Sequence, residues 1–400
     1  VIKHRRKKWL WLLLIPAALL IIMQLKFKFA TMVVTQLRVQ TISCADPLFT
    51  SPPVVFEDLE SITPLGNLNP PDHTLPTDHV YIGLPATPEA SHNDDGLPPP
   101  AKKVTNVYAP GKIIITGIEK VEYLGSDGAL LRQDFSMSFA VCRSVDGYYG
   151  HLSSLNPELE KLTSGKSVSC DQYEIDSAGA RSVNSCQFVL GKQIAAGSVV
   201  GQAGEQFSSF DMGLNDNRAP AEGYANPKRY SRGSKTVCPF DYYNSGMKQK
   251  FASYFGMGTT RRTAAPVCGS VMQDKAGTAQ GNWFFGDVKD GPQGWSKEVS
   301  LAHDNIDPSM GVISVGGTIS QPFRLQFLPT HSGTTNREFA EIRPGPELYC
   351  YPSLADGYGI KRGQQLVLQL VDATSLKIEH QSGTCATNPA FTAAAKTYNR

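Results

Sequence analysis

Phe135-Ser136-Met137-Ser138-Phe139-Ala140-Val141 leads into Gly147-Tyr148-Tyr149-Gly150-His151-Leu152, and these two pieces set the expected fold. In the first, apolar side chains stand at every second position. That is the period of a half-buried β-strand, whose successive side chains point to opposite faces. Gly147 is expected to turn the chain back into Tyr149-Gly150-His151-Leu152. Further out on the N-terminal side, Val107-Tyr108-Ala109-Pro110-Gly111-Lys112 opens an apolar strand at Ile113-Ile114-Ile115. On the C-terminal side, the stretch from Gly191 to Gly204 carries glycines where tight turns need positive φ. Between them, Pro157-Glu158-Leu159-Glu160-Lys161-Leu162 reads as a short helix. Cys170 and Cys186 then bracket a polar loop that a disulfide would hold.

In this order, the segments around Val107, His151 and Gly191–Gly204 resemble the core of the LytM/lysostaphin-type zinc endopeptidases, over about residues 75–216. The resemblance implies an antiparallel β domain and an ancestry in the cutting of peptide cross-links of bacterial cell walls. In that family a His-x-x-x-Asp motif and the second His of a late His-x-His motif hold the zinc. The first His of that pair and the His of a Tyr-x-His-Leu segment assist. Here His79-Val80-Tyr81-Ile82-Gly83 falls at the first motif, with His79 as first ligand and Gly83 in place of the Asp. Phe210-Asp211-Met212-Gly213-Leu214 falls at the second, with Asp211 replacing the first His and Gly213 the ligating one. His151 is retained.

A single-zinc peptidase needs three protein ligands and an open position for water. One family ligand of three implies no bound zinc and no other cofactor. His151 is then vestigial or a partner-binding residue, and the region is a non-catalytic module for wall peptide or for another envelope protein. The alternative is an active zinc endopeptidase with a rearranged site, using His79, His151, Asp211 and a ligand such as His92, beside Asp94 and Asp95. Each residue also has a plainer reading: a histidine near a turn is often structural, and Asp211 would cap a turn or face solvent.

The composition, 41% apolar and 18% charged, is that of a globular chain able to bury sizeable cores. A net charge of +2 gives no general case for nucleic acid. The local charge is more telling. His4-Arg5-Arg6-Lys7-Lys8 precedes an uncharged apolar run from Trp9 to Leu25. That pattern is expected of a single-pass anchor, with residues 9–25 in the membrane and the bulk of the chain outside the cytoplasm. Eight cysteines without a Cys-x-x-Cys pair agree with export and disulfide formation, Cys170 with Cys186 and Cys350 with Cys385 being the expected pairs.

The expected organisation is an anchor over residues 1–30, a Pro-rich spacer over 31–75 with a short strand from Met32 to Ile42, a LytM-like β domain over 76–262 and an all-β domain over 263–400. A polar, Pro-rich insertion interrupts the LytM-like domain at 86–103, and a short helix is expected between Phe240 and Phe255. In the last domain, strand-like runs at Trp283-Phe284-Phe285, Gly311–Val315, Phe323–Leu328, Gln365–Val371 and Ser375–His380 alternate with turn residues, as in a sandwich or barrel. His303-Asp304-Asn305-Ile306-Asp307-Pro308 reads as a hydrogen-bonded turn rather than a calcium loop, because it lacks the closing acidic residue. Lys228, Arg229, Arg232 and Lys235, with Tyr224, Tyr230 and Tyr242, read as a solvated loop, with the grip on an anionic polymer as the sharper reading. The fold class is therefore mainly β.

Overall fold

The computed structural model describes residues 33–86, 101–165, 167–177, 180–221, 223–230, 235–291, 293–385 and 389–400. The apolar run 9–25 lies outside them, as does most of the Pro-rich insertion with His92. Among the described residues no helix is long and apolar enough to cross a membrane. The protein is mainly β, with antiparallel sheets, and divides into two compact units. The first comprises the chain up to Asp58, Leu84–Asp211 and Tyr242–Asn244. The second comprises Leu59–Gly83, Met212–Asp241 and Ser245–Arg400.

In the first unit, five strands form a continuous antiparallel sheet in the order Val145–Leu152, Leu130–Cys142, Ile113–Leu124, Ala180–Ile194, Ser169–Ser177. The alternation at Phe135–Val141 buries Phe135, Met137 and Phe139 as expected. Phe139 packs on Tyr149, with ring centroids 5.5 Å apart, and Tyr149 on Phe210, at 5.9 Å. A second, three-stranded sheet orders Thr105–Tyr108, Val199–Ala203 and Ser154–Leu155. The hydroxyl of Tyr149 donates to the Tyr108 carbonyl at 3.0 Å and so ties the two sheets together. The helix Pro157–Thr163 forms where expected, its first turn capped by the Asn156 side chain, which accepts from the Leu159 N–H.

Three local expectations are corrected. Gly147 does not turn the chain. It lies inside a strand opposite Phe139, and the reversal falls at Arg143 and Ser144. Residues 33–40 are helical, not a strand. Thr35 and Val39 are the buried residues there, four apart, while Val34 and Leu37 are exposed, which is a helical period. The stretch 45–75 is no extended spacer. Phe49 and Val54 are fully buried in the first unit, and Ile62, Leu65 and Leu68 are buried in the second. Proline-rich composition there breaks regular structure without preventing burial. Of the glycines between 191 and 204, Gly197 and Gly204 have positive φ. Gly201 is needed for another reason: a Cβ there would stand 2.3 Å from the Ser154 carbonyl oxygen.

In the second unit, eight strands form a nearly closed antiparallel barrel, which resolves the choice between sandwich and barrel. Their order is Phe323–Phe327, Gly311–Val315, Glu298–His303, Gly281–Phe284, Lys396–Asn399, Ser375–Ser382, Gln364–Asp372, Tyr349–Pro352. One core fills it, around Trp283, Leu301, Ile313, Phe323, Leu366 and Tyr398. Phe327 on the first strand of the order meets Tyr351 on the last, with centroids 4.9 Å apart. The helix Ser245–Ala252 forms where expected and belongs to this unit, as does Met212–Asp241.

The cysteines form four disulfides, Cys44–Cys142, Cys170–Cys186, Cys238–Cys268 and Cys350–Cys385. The second and fourth are the expected pairs.

Candidate functional site

His151 stands near the end of the strand Val145–Leu152. The neighbouring strand pairs Phe135 with Leu152 and Met137 with Tyr149, so Gly150 and His151 together face the single residue Ser136. This is a β-bulge, a device that re-aims a side chain beside a site. His151 takes φ +58°, a left-handed conformation uncommon outside glycine. Such strain tends to persist where function requires it.

The bulge places the imidazole between two carboxylates. Nδ1 lies 2.6 Å from Asp134 Oδ2, and Nε2 lies 3.6 Å from Asp211 Oδ2. The side chains of Asp134 and Asp211 are 10% and 9% exposed, whereas that of His151 is 39% exposed. The ring stands edge-on to Phe207, with centroids 5.0 Å apart. Gly150 makes room for the arrangement, because a Cβ there would come within 2.8 Å of Asp211 Oδ2.

Burial works against charge on the imidazole. Asp211 and Asp134 outweigh it, Arg132 opposes them only in part, and the pKa of His151 rises to about 9. At neutral pH the ring is therefore a cation with two N–H donors. One is spent on Asp134. The other, on Nε2, lies 3.6 Å from Asp211 Oδ2, beyond a hydrogen bond.

These residues do not fit a zinc ion. With Nδ1 of His151 spent on Asp134, only Nε2 and Asp211 stand together, where a single-zinc site needs three protein ligands. Gly83 and Gly213 offer no side chain. Among the described residues, no group of three His, Cys, Asp or Glu is arranged to hold a metal.

The structure brings His151 and Asp211 together. Asp211 is buried against the histidine and does not face solvent, because its strand, Ser209–Asp216, carries it inward. His79 belongs to the second unit, on the strand His79–Gly83, with its own partners. Its Nδ1 lies 3.0 Å from Asp78 Oδ1, and its ring stands edge-on to His73 and Tyr81, with centroids 5.2 and 4.9 Å away. Sequence reasoning missed Asp134, Asp78 and His73. The crowding of His73, Asp78 and His79 within a few residues was a visible signal. Asp134 gave none, since only the strand register carries it to His151.

Of the other candidates, Arg232 of the basic cluster lies outside the described residues. In the His303–Pro308 segment, Asp304 Oδ1 accepts from the Ile306 and Asp307 N–H groups, the expected hydrogen-bonded turn. Tyr224 and Tyr230 stack at 3.9 Å, and Arg229 is held by Asp287 and the Val288 carbonyl. Tyr242 belongs to the first unit, where it packs on Phe49. Comparison with protein-family models, with curated proteins and with solved structures finds no match to the chain.

Proposed function

We propose that this chain is an extracytoplasmic, membrane-anchored envelope protein whose first unit is a degenerate LytM-like domain that binds wall peptide, or a protein partner, without cutting it. The observation that carries the reading is the Asp134–His151–Asp211 cluster. A half-exposed imidazolium on a strained bulge, flanked by buried carboxylates, is built to hold a polar ligand. Gly83 and Gly213, where the family's ligands would stand, bring no metal-binding side chain. Four disulfides support an oxidising compartment, and the basic flank with the apolar run 9–25 supports the anchor.

The test is co-sedimentation of the full chain with purified peptidoglycan sacculi, wild type against His151→Ala. The wild type is expected in the pellet, and the variant at least about tenfold depleted, the loss of one charged contact worth ~1.4 kcal/mol. A wild type that stays in the supernatant, or a variant that sediments equally, would sink wall binding at this site.

A further inference from the structure

We propose that the carboxylates of Glu298 and Asp290 and the Lys289 carbonyl form a site for one calcium ion on the outer face of the barrel. The site lies within the second unit and does not depend on the reading of the first.

Glu298 opens the strand Glu298–His303. Val299 and Leu301 belong to the barrel core, and side chains alternate along a strand, so Leu301 and Glu298 face opposite sides. On its own side Glu298 is fully buried, yet neither carboxylate oxygen closes a hydrogen bond. The Gly291 N–H comes near and offsets the burial only in part. A buried carboxylate without partners is among the costliest groups a fold can carry, and a bound ion is one of the few things that account for it.

The groups gathered around it are oxygens too. Gly294 has no side chain, and the hollow this leaves is lined by the Lys289 carbonyl oxygen, Glu298 Oε1 and the Gly291 carbonyl oxygen. A Cβ there would stand 2.2, 2.8 and 3.3 Å from them. The Gly291 carbonyl already accepts from the Gly294 and Trp295 N–H groups, which leaves Lys289 and Glu298 to a ligand. Asp290, in the same loop, adds its charge to that of Glu298. The neighbouring cations are engaged elsewhere or face water. Arg229 donates to Asp287 and to the Val288 carbonyl, and Lys289 and Lys297 are exposed.

Oxygen donors alone select a hard cation. Magnesium demands near-octahedral geometry, whereas calcium accepts the irregular set offered by a strand end and a glycine-containing loop, with waters completing its shell. In the empty site, burial and the Asp290 charge keep a proton on Glu298, and calcium takes the place of that proton.

The test is calorimetric titration of the dialysed full chain with calcium chloride and with magnesium chloride, wild type against Glu298→Gln and Asp290→Asn. Glutamine has the shape of the protonated acid, so Glu298→Gln should leave the empty fold intact, and unfolding in a chelator checks each variant. The wild type is expected to bind about one calcium per chain with a Kd on the order of 10⁻⁴–10⁻³ M, an affinity that dialysis empties. Each variant should bind it at least about tenfold more weakly, and magnesium should bind the wild type more weakly than calcium does. Absent saturable calcium binding, equal binding by either folded variant, or magnesium binding as tight as that of calcium would overturn the site.

Discussion

Gly150 and His151 share the work of one bulge: the first has no side chain to obstruct Asp211, and the second accepts backbone strain to reach it. Gly150→Ala would place a methyl 2.8 Å from Asp211 Oδ2 and 3.2 Å from its Cβ. It should cost about 1–3 kcal/mol, read by urea denaturation. The charge state of His151 is directly measurable. Its folded pKa, about 9, lies above the ordinary 6.5, so its contribution to stability is full below about 6.5 and is lost as pH rises through 9. The Cε1 proton resonance of His151 should titrate near 9 in the wild type and closer to the ordinary value in Asp134→Asn. A wild-type midpoint near 6.5 would refute the carboxylate clamp. Glu298 in the second unit gives the opposite kind of case. Burial, with the Asp290 charge adding to it and the Gly291 N–H offsetting part, pushes its carboxyl to about 9. The unfolded chain releases this proton near 4.5, so native stability falls as pH rises between 4.5 and 9. Glu298→Gln should remove that slope, a difference of about 3 kcal/mol between pH 4.5 and 7 in paired denaturation curves. His151 was legible from its sequence context. The burial of Asp211 and the partnership of Asp134 were not, because both follow from register across strands.

At the scale of elements, the period-two alternation at Phe135–Val141 and in the C-terminal runs was enough to place strands, because one face of each is buried. The expected run Gly311–Val315 is a strand with those bounds, and Gln365–Val371 lies within Gln364–Asp372. Shorter signals misled. Gly147 reads as a turn residue in isolation, yet pairing with Phe139 holds it in a ladder. The stretch from Met32 to Ile42 is apolar at positions that suit either period, and burial of Thr35 and Val39 decides for the helix. The barrel depends on Trp283, which is fully buried, donates its indole N–H to the Ala279 carbonyl and underlies the Arg400 guanidinium. Trp283→Ala should cost about 3–5 kcal/mol. A loss below about 1 kcal/mol would mean the barrel core is not built around this ring.

For the whole molecule, each disulfide closes within one compact unit, two in each. The expected pairs, Cys170–Cys186 and Cys350–Cys385, were legible because their cysteines are near in sequence, 16 and 35 residues apart. Cys44–Cys142 spans 98 residues and was not. By loop-closure entropy its removal should cost more than removal of Cys170–Cys186, by about 1–2 kcal/mol, in serine double variants compared by thermal unfolding. Non-reducing peptide mapping that found free thiols at most of these positions would contradict both the fold and export. The central claim is that the first unit binds without cutting and holds no zinc, and it is tested most directly by the metal content of the dialysed full chain. Zinc well below one equivalent is expected, with the same melting temperature in the presence of a chelator. About one zinc per chain, with wall-peptide cleavage that disappears in His151→Ala, would contradict it.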